Sequence, residues 1–348
     1  MVSPTEREWR GLRRLELTPT PTPLDRAERL SDHVGAEIWI KRDDVGAIGV
    51  AGNKIRKLEF LLAAALAEGA DTLIIVGARQ SNAARATAAS AALLGLECHL
   101  VVDGDGVGAA EGNLLLDQLF GAVIHPSGVQ DWAALERRAR DLEEELARDG
   151  RHPFRMPVGC SSPMGAVGFA CAYEELLQQL DEEQVVAESI YHASTSGGTH
   201  AGLVLGRKMM QRGPRIHGID VGDLYEDAAE TIASLAREAG ALIAVDHEFS
   251  VEAVEIESGH MGRCYGSITE QATAAIALTA RLEGVVADPV YSGKALGALL
   301  EDATRGRIKG PVVFWHTGGT PACFAMPYQE ALVAAAGAAE SGPGEQPG

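Results

Sequence analysis

The chain has 348 residues, 46% of them hydrophobic and 5% aromatic, with a formal charge of -19 at pH 7. That suits an ordinary soluble globular protein large enough for two lobes with separate cores. The negative charge argues against nucleic acid or an anionic membrane as the main partner, because both would repel it.

No apolar leader is visible before the charges that begin at Glu6, and no apolar run reaches the roughly 18 residues of a membrane span. The five cysteines (Cys98, Cys160, Cys171, Cys264 and Cys323) are scattered and form no C-x-x-C pair. An odd, dispersed set reads as buried thiols in a reducing compartment, so a cytoplasmic protein is expected.

The opening segment is broken by the prolines of TPTPTPLDR (Thr18 to Arg26) and reads as a surface wrap. AEIWIKRDD follows as a short β-rich run, and KIRKLEFLLAAALAEGA has apolar residues at helical spacing up to a stop at Gly69. DTLIIVGA predicts a strand buried on both faces, SNAARATAASAALLGL an Ala-rich helix, and ECHLVVDG another buried strand. AEGNLLLDQLFGA is then helical, AVIHP a strand, and DWAALERRARDLEEELARDG an acidic amphipathic helix.

The second half keeps the rhythm. AVGFACAYEELLQQLDEE predicts a helix, SIYHAST a strand, GLVLGRKMMQRG a helix and RIHGIDVG a strand. DLYEDAAETIASLAREAG is helical, and PVVFWHTGG is a strand entering a Gly turn. Apolar strands alternating with helices imply an α/β protein whose mostly parallel sheets are covered on both faces. The final residues, GAAESGPGEQPG, lack core formers and read as a disordered tail.

Four stretches stand at places where chemistry is done. STSGGTHAGL, Ser194 to Leu203, joins a strand to a helix with small residues, so backbone N–H groups can approach an anion at the positive helix end. It has neither P-loop nor dinucleotide spacing, so it suggests a phosphate without naming the carrier; a plain Gly turn reads the same way. Lys54, in VAGNKIRKLEF, is either part of a solvated basic helix face or an amine nucleophile whose pKa Arg56 and Lys57 would help to depress.

GARQSNAAR puts Ser81 and Asn82 at the carboxyl end of a buried strand, where open α/β sheets bind ligands. There they serve as a helix cap or as a hydroxyl and an amide for a ligand. In DPVYSGKA, Tyr291 is a half-buried ring at a turn unless the other three stretches share its pocket.

The ordered motifs KRDD…GNKIRKLEF, GARQSN, SGGTHAG, DPVYSGKA and HTGGTPA resemble the pyridoxal-phosphate enzymes of the D-cysteine desulfhydrase and 1-aminocyclopropane-1-carboxylate (ACC) deaminase family, from about Leu17 to Met326. The resemblance implies fold-type II architecture, with two three-layer α/β/α domains closing over pyridoxal 5'-phosphate, and a homodimer. Residues 1–50 and 166–334 would form the large cofactor domain, 51–165 the small mobile domain and 335–348 the disordered tail.

By the same resemblance Lys54 is the lysine that holds the cofactor, and Asn82 contacts its 3-hydroxyl. Ser196, Gly197, Gly198 and Thr199 cradle its phosphate, and Ser81 lies beside the substrate carboxylate. Tyr291 and Tyr265 handle protons and position a small amino-acid substrate. No metal is implied.

Ser292 and Thr317 choose between subfamilies. ACC deaminases carry Glu and tend to carry Leu at these positions. A carboxylate at the first would keep the pyridine nitrogen protonated, as opening a cyclopropane demands, whereas a hydroxyl suffices for β-elimination of a good leaving group. The expectation is a D-cysteine desulfhydrase-like lyase acting on a small D-amino acid, with ACC deamination the less favoured reading. Two features depart from the pattern: Ala83 and Ala84 replace the usual polar and bulkier residues after QSN, and PVGCSSPMG, with Cys160, is closer to the deaminase version of its loop. L-cysteate sulfo-lyase activity, amino-acid racemisation with Ser81 as the second proton donor, and a non-catalytic cofactor-binding role stay as alternatives.

Overall fold

The computed structural model describes residues 4–338 except 47, 105, 107–109, 129–130 and 246–248. Its first elements are a hairpin, β1 (Glu6–Trp9) and β2 (Leu12–Leu15), turned by Arg10 and Gly11, both at positive φ as tight hairpin turns require. The sequence reading expected only a wrap here. Trp9 sets its ring edge-on against Phe60, which fastens the hairpin to the body. β3 (Leu24–Arg26), α1 (Glu28–Val34) and β4 (Ile38–Arg42) follow.

The next run of chain alternates helix and strand: α2 (Lys54–Ala67), β5 (Thr72–Gly77), α3 (Asn82–Leu94), β6 (Glu97–Val102), α4 (Gly112–Leu119), β7 (Val123–Pro126), α5 (Trp132–Arg148) and β8 (Pro153–Arg155). These strands form one all-parallel sheet in the order β7-β6-β5-β8. β5 is buried along its whole length. That is why it reads as an unbroken apolar run and not as an alternating one.

The remaining elements are α6 (Pro163–Glu182), β9 (Ser189–Ser194), α7 (Gly198–Met210), β10 (Arg215–Asp220), α8 (Ala228–Leu242), β11 (Glu255–Glu257), α9 (Glu270–Glu283), α10 (Ser292–Thr304), β12 (Val312–His316) and α11 (Tyr328–Ala338). The second sheet runs β11-β10-β9-β12-β4-β3, parallel except where β3 meets β4. The α/β class with mostly parallel sheets is therefore the observed one.

Local chemistry explains the shifted boundaries. α6 starts at Pro163, three residues before the expected Ala166, because Ser162 Oγ accepts the Gly165 N–H and proline suits the first turn. α8 starts at Ala228 because Asp227 caps Glu230 N at 2.9 Å. The expected tail, 335–348, needs correction. Its first residues complete α11 through Ala338, and 339–348 lie outside the described residues. The thiols also need correction, since Cys98, Cys160 and Cys323 are buried but Cys264 is exposed.

A buried ionic cluster joins the elements below the site. Arg56 on α2 donates to both oxygens of Asp43 at 2.8–3.0 Å and to both oxygens of Glu175 on α6 at 2.9 and 3.0 Å. Lys41 of β4 donates to Glu175 at 2.5 Å, and Trp315 of β12 donates to Asp43 at 2.8 Å. Burial works against Glu175's charge, but the two cations outweigh it and hold the carboxyl down at about 2.

Candidate active site

One cavity opens between the sheets at the carboxyl ends of β5, β9 and β12. Lys54, Ser81, Asn82, Tyr265, Tyr291 and Thr317 line it, with Ser196, Gly197 and Thr199 at another wall. Of the residues expected at the site, Gly198 and Ser292 are not in the lining: Gly198 opens α7 just behind Gly197, and Ser292 is fully buried behind Tyr291. The four stretches that read as separate possibilities thus share one pocket.

Lys54 is the first residue of α2. Its Nζ donates to Asn53 Oδ1 at 3.0 Å, and Asn53 Nδ2 donates to Thr199 Oγ1 at 3.0 Å, so one asparagine spans from the lysine to α7. Burial pulls the Lys54 amine down to about 8. Cys160 and Asp288 oppose that shift, and Arg85 adds to it. The sequence reading assigned this help to Arg56 and Lys57. Arg56 is instead neutralised by Asp43 and Glu175, and the guanidinium that adds to the lowering of Lys54 is Arg85, 31 residues along the chain; Lys57 does repel Lys54, and that repulsion lowers Lys57 itself.

The loop after β9 turns directly into α7. Ser196 Oγ lies 2.8 Å from Ser161 Oγ, which also receives the Gly198 N–H at 3.2 Å. Lys57 Nζ donates to Ser161 Oγ at 3.0 Å and to the Gly159 carbonyl at 3.3 Å. A side chain at Gly198 would put Cβ 2.6 Å from Ser161 Oγ and 3.0 Å from Ser161 Cα, so only glycine admits this approach. Amide donors at the start of a 13-residue helix, two hydroxyls and the nearby Lys57 amine are the donor set of a phosphate cradle, and they fit the phosphate of pyridoxal 5'-phosphate. Sequence reasoning missed Asn53, Ser161 and Lys57 as members of this wall, because nothing in the spacing ties residue 161 to residue 196.

The N-terminus of α3 answers a question the sequence left open. Ser81 is the cap, its Oγ accepting Ala84 N at 3.2 Å, and it also lines the cavity. Asn82 Oδ1 accepts Asn113 Nδ2 at 2.9 Å, which fixes the orientation of the amide at the cavity wall.

Also in the lining, the hydroxyls of Tyr265 and Tyr291 are hydrogen-bonded, with ring centroids 6.1 Å apart. Burial pushes Tyr265 up to about 12 and Tyr291 well above the ordinary phenol range, so both hold their protons at neutral pH. Trp132, which read only as the start of an acidic helix, sets its ring edge-on to Tyr265 at 6.5 Å and lines the cavity.

Asp288 fixes the turn that presents Tyr291. Its Oδ2 accepts Val290 N at 2.9 Å and Tyr291 N at 2.8 Å, and its Oδ1 accepts Ser292 N at 2.8 Å and Ser292 Oγ at 2.6 Å. Ser292 Oγ also lies 3.1 Å from the Gly318 carbonyl, beside Thr317.

With this geometry in view, the likeness to known proteins is specific. Residues 15–318 match the pyridoxal-phosphate dependent enzyme family. The chain belongs to that family. It is 42% identical over 323 residues to the D-cysteine desulfhydrase of Klebsiella pneumoniae, covering 90% of this chain and 95% of that one. A crystal structure described as an ACC deaminase homologue superposes with a TM-score of 0.85 at 38% identity, covering 92% of this chain and 96% of that chain. Threonine deaminase isoform 2 from Solanum lycopersicum, at 17% identity and a TM-score of 0.66, shares the fold. The architecture is therefore fold-type II, and the cofactor of the family is pyridoxal 5'-phosphate. No helix among the described residues is long and apolar enough to cross a membrane.

Proposed function

We propose that the protein is a lyase that eliminates the β-substituent of a small D-amino acid, in the manner of a D-cysteine desulfhydrase, yielding, with one water consumed, a 2-keto acid, ammonia and, from D-cysteine, sulfide. The observation that carries this reading is that one cavity is lined by both Lys54, an amine lowered to about 8, and a hydrogen-bonded tyrosine pair whose protons are held. Groups whose environments drive them apart in this way are suited to opposite halves of a proton transfer.

When bound, the cofactor supplies an electron sink for negative charge at the substrate Cα. Lys54 would hold the cofactor through Nζ, and the same nitrogen, freed when the substrate amine takes its place, would take the Cα proton. As the bond from Cβ to sulfur breaks, Tyr291 gives its proton to the departing sulfur, with Tyr265 beside it. Ser81 and the amide end of α3 would hold the substrate carboxylate, Asn82 would orient the cofactor ring through its 3-hydroxyl, and Ser196 to Thr199 would hold its phosphate.

Identities of 42% to the desulfhydrase and 38% to the ACC deaminase homologue are too close together to choose between the two activities. Ser292 favours elimination. Its hydroxyl is committed to Asp288 and Gly318 and offers no carboxylate to protonate the ring nitrogen. ACC deamination remains the second reading on the strength of that structural neighbour.

We also read the chain as a cytoplasmic homodimer with a small-molecule substrate, and 51–165 as a small domain that closes over the cavity. The all-parallel sheet confined to 72–155 supports that division.

The test is keto-acid release from D-cysteine and 3-chloro-D-alanine by the cofactor-loaded protein, with L-amino acids and ACC alongside. Absence of keto acid from every β-substituted amino acid would reject the lyase reading.

A further inference from the structure

Arg85 is fully buried on α3, yet among the described residues no carboxylate bonds to it. Its Nη1 donates to the carbonyls of Gly49 and Ala51, the latter at 2.7 Å, and its Nε donates to Asn113 Oδ1 at 3.1 Å. Nη2 is buried without a partner. The carbonyls it grips belong to a run in which Gly49, Val50, Ala51 and Gly52 all have positive φ, at 52°, 62°, 52° and 107°. Two of the four are not glycine, so this backbone does not hold its shape unaided. A Cβ on Gly52 would come within 3.2 Å of the Thr317 carbonyl and 3.6 Å of Arg85 Nη2. The unpartnered end of the guanidinium therefore faces the loop two residues before Lys54.

On its other side the guanidinium reaches Asn82. Asn113, which accepts from Arg85 Nε, donates through Nδ2 to Asn82 Oδ1 and to the Gln80 carbonyl, both at 2.9 Å. We infer that Arg85 is a positioning residue of the cofactor site, locking the loop that delivers Lys54 to the helix that delivers Asn82. This rests on the cofactor roles given to Lys54 and Asn82 above.

The contrast with Arg56 sharpens the assignment. Arg56 is equally buried but is neutralised by Asp43 and Glu175, as a structural arginine would be. Arg85 stays charged, with burial lowering it only to about 10, and its field reaches Lys54. Asp117 is the nearby acid. Burial raises its carboxyl to about 7, and its Oδ1 has no hydrogen-bond partner. The other titratable groups acting on Lys54 are Cys160 and Asp288, with Lys57 adjacent.

The experiment uses full-length protein loaded with pyridoxal 5'-phosphate, read by the pH midpoint of the bound cofactor's visible band and by its dissociation constant. Arg85→Met is expected to weaken cofactor binding at least tenfold and to raise the midpoint by about one unit, because a nearby positive charge has been removed. Arg85→Lys should keep the midpoint within a few tenths while binding more weakly than wild type. Asn113→Ala should weaken binding without moving the midpoint, and together with Arg85→Lys it decides the matter if Arg85→Met does not fold. Wild-type midpoint and affinity in Arg85→Met, or in both of the other variants, would overturn the inference. A wild-type protein that binds no cofactor would instead overturn the reading of Lys54 and Asn82.

Discussion

The hydroxyls of Tyr265 and Tyr291 meet inside the cavity, one ring carried by the loop before α9 and the other by the turn before α10. Two buried phenols, both protonated and hydrogen-bonded to each other, are suited to supply a proton to a departing thiolate, and removing one hydroxyl while keeping its ring tests that role. Tyr291→Phe should lower kcat by about 10² to 10⁴-fold with the cofactor still bound, as steady-state kinetics and the visible spectrum of the same sample will show. Near-wild-type turnover would reduce Tyr291 to packing and move the donor to Tyr265, Ser81 or Lys54.

The lowered amine of Lys54 has a direction that can be checked. Only the neutral amine captures an aldehyde. With its pKa brought down to about 8 from 10.5, the rate at which cofactor-stripped protein takes up pyridoxal 5'-phosphate should climb with pH, reach half its maximum near 8 and level off roughly one unit above that. An ordinary lysine would keep gaining beyond pH 10. Lys54→Ala should stay colourless with added cofactor.

Substrate choice should respond to Ser292 and Thr317. Ser292→Glu with Thr317→Leu should shift the ratio of kcat/KM values toward ACC and away from D-cysteine. The structure adds a cost, since a carboxylate at 292 would be brought against Asp288, which now accepts the Ser292 hydroxyl at 2.6 Å. Like charges that close raise a carboxyl pKa, so the variant should also melt at a lower temperature above neutral pH than below it. Unchanged ACC turnover in a folded double variant would remove the argument from Ser292.

Ala83, buried in the cavity wall beside Asn82, should govern specificity more than cofactor affinity. Ala83→His is expected to reorder kcat/KM across a panel of β-substituted D-amino acids while changing the cofactor dissociation constant less than the substrate ratios. A uniform loss across the panel would contradict it.

Glu175 should be a stability residue. Its folded pKa of about 2 lies below the ordinary value near 4.5, so its contribution is complete above about pH 4.5 and is lost as pH falls toward 2. Glu175→Gln leaves Arg56 and Lys41 short of a buried partner and should cost about 3–5 kcal/mol in urea unfolding at pH 7. The gap to wild type should narrow at pH 3.

The apolar runs alternating with helical stretches were enough to read the α/β class, because a strand buried on both faces, such as β5, is written mostly with apolar residues. The glycine-rich entrance to α7 and the Ser81 cap were legible for a similar reason, since each answers a local demand of the backbone at a helix start. The N-terminal hairpin and the short strands β8 and β11 were not legible: at three or four residues, pairing with a neighbour decides them and intrinsic preference does not. The charges around Lys54 were the least legible of all. Arg56 stands two residues away yet is spent on Asp43 and Glu175, whereas Arg85 arrives from the next helix. Electrostatic influence depends on distance and burial in space, and only the packing of α2 against α3 and α6 decides which neighbour in the chain is a neighbour in the site.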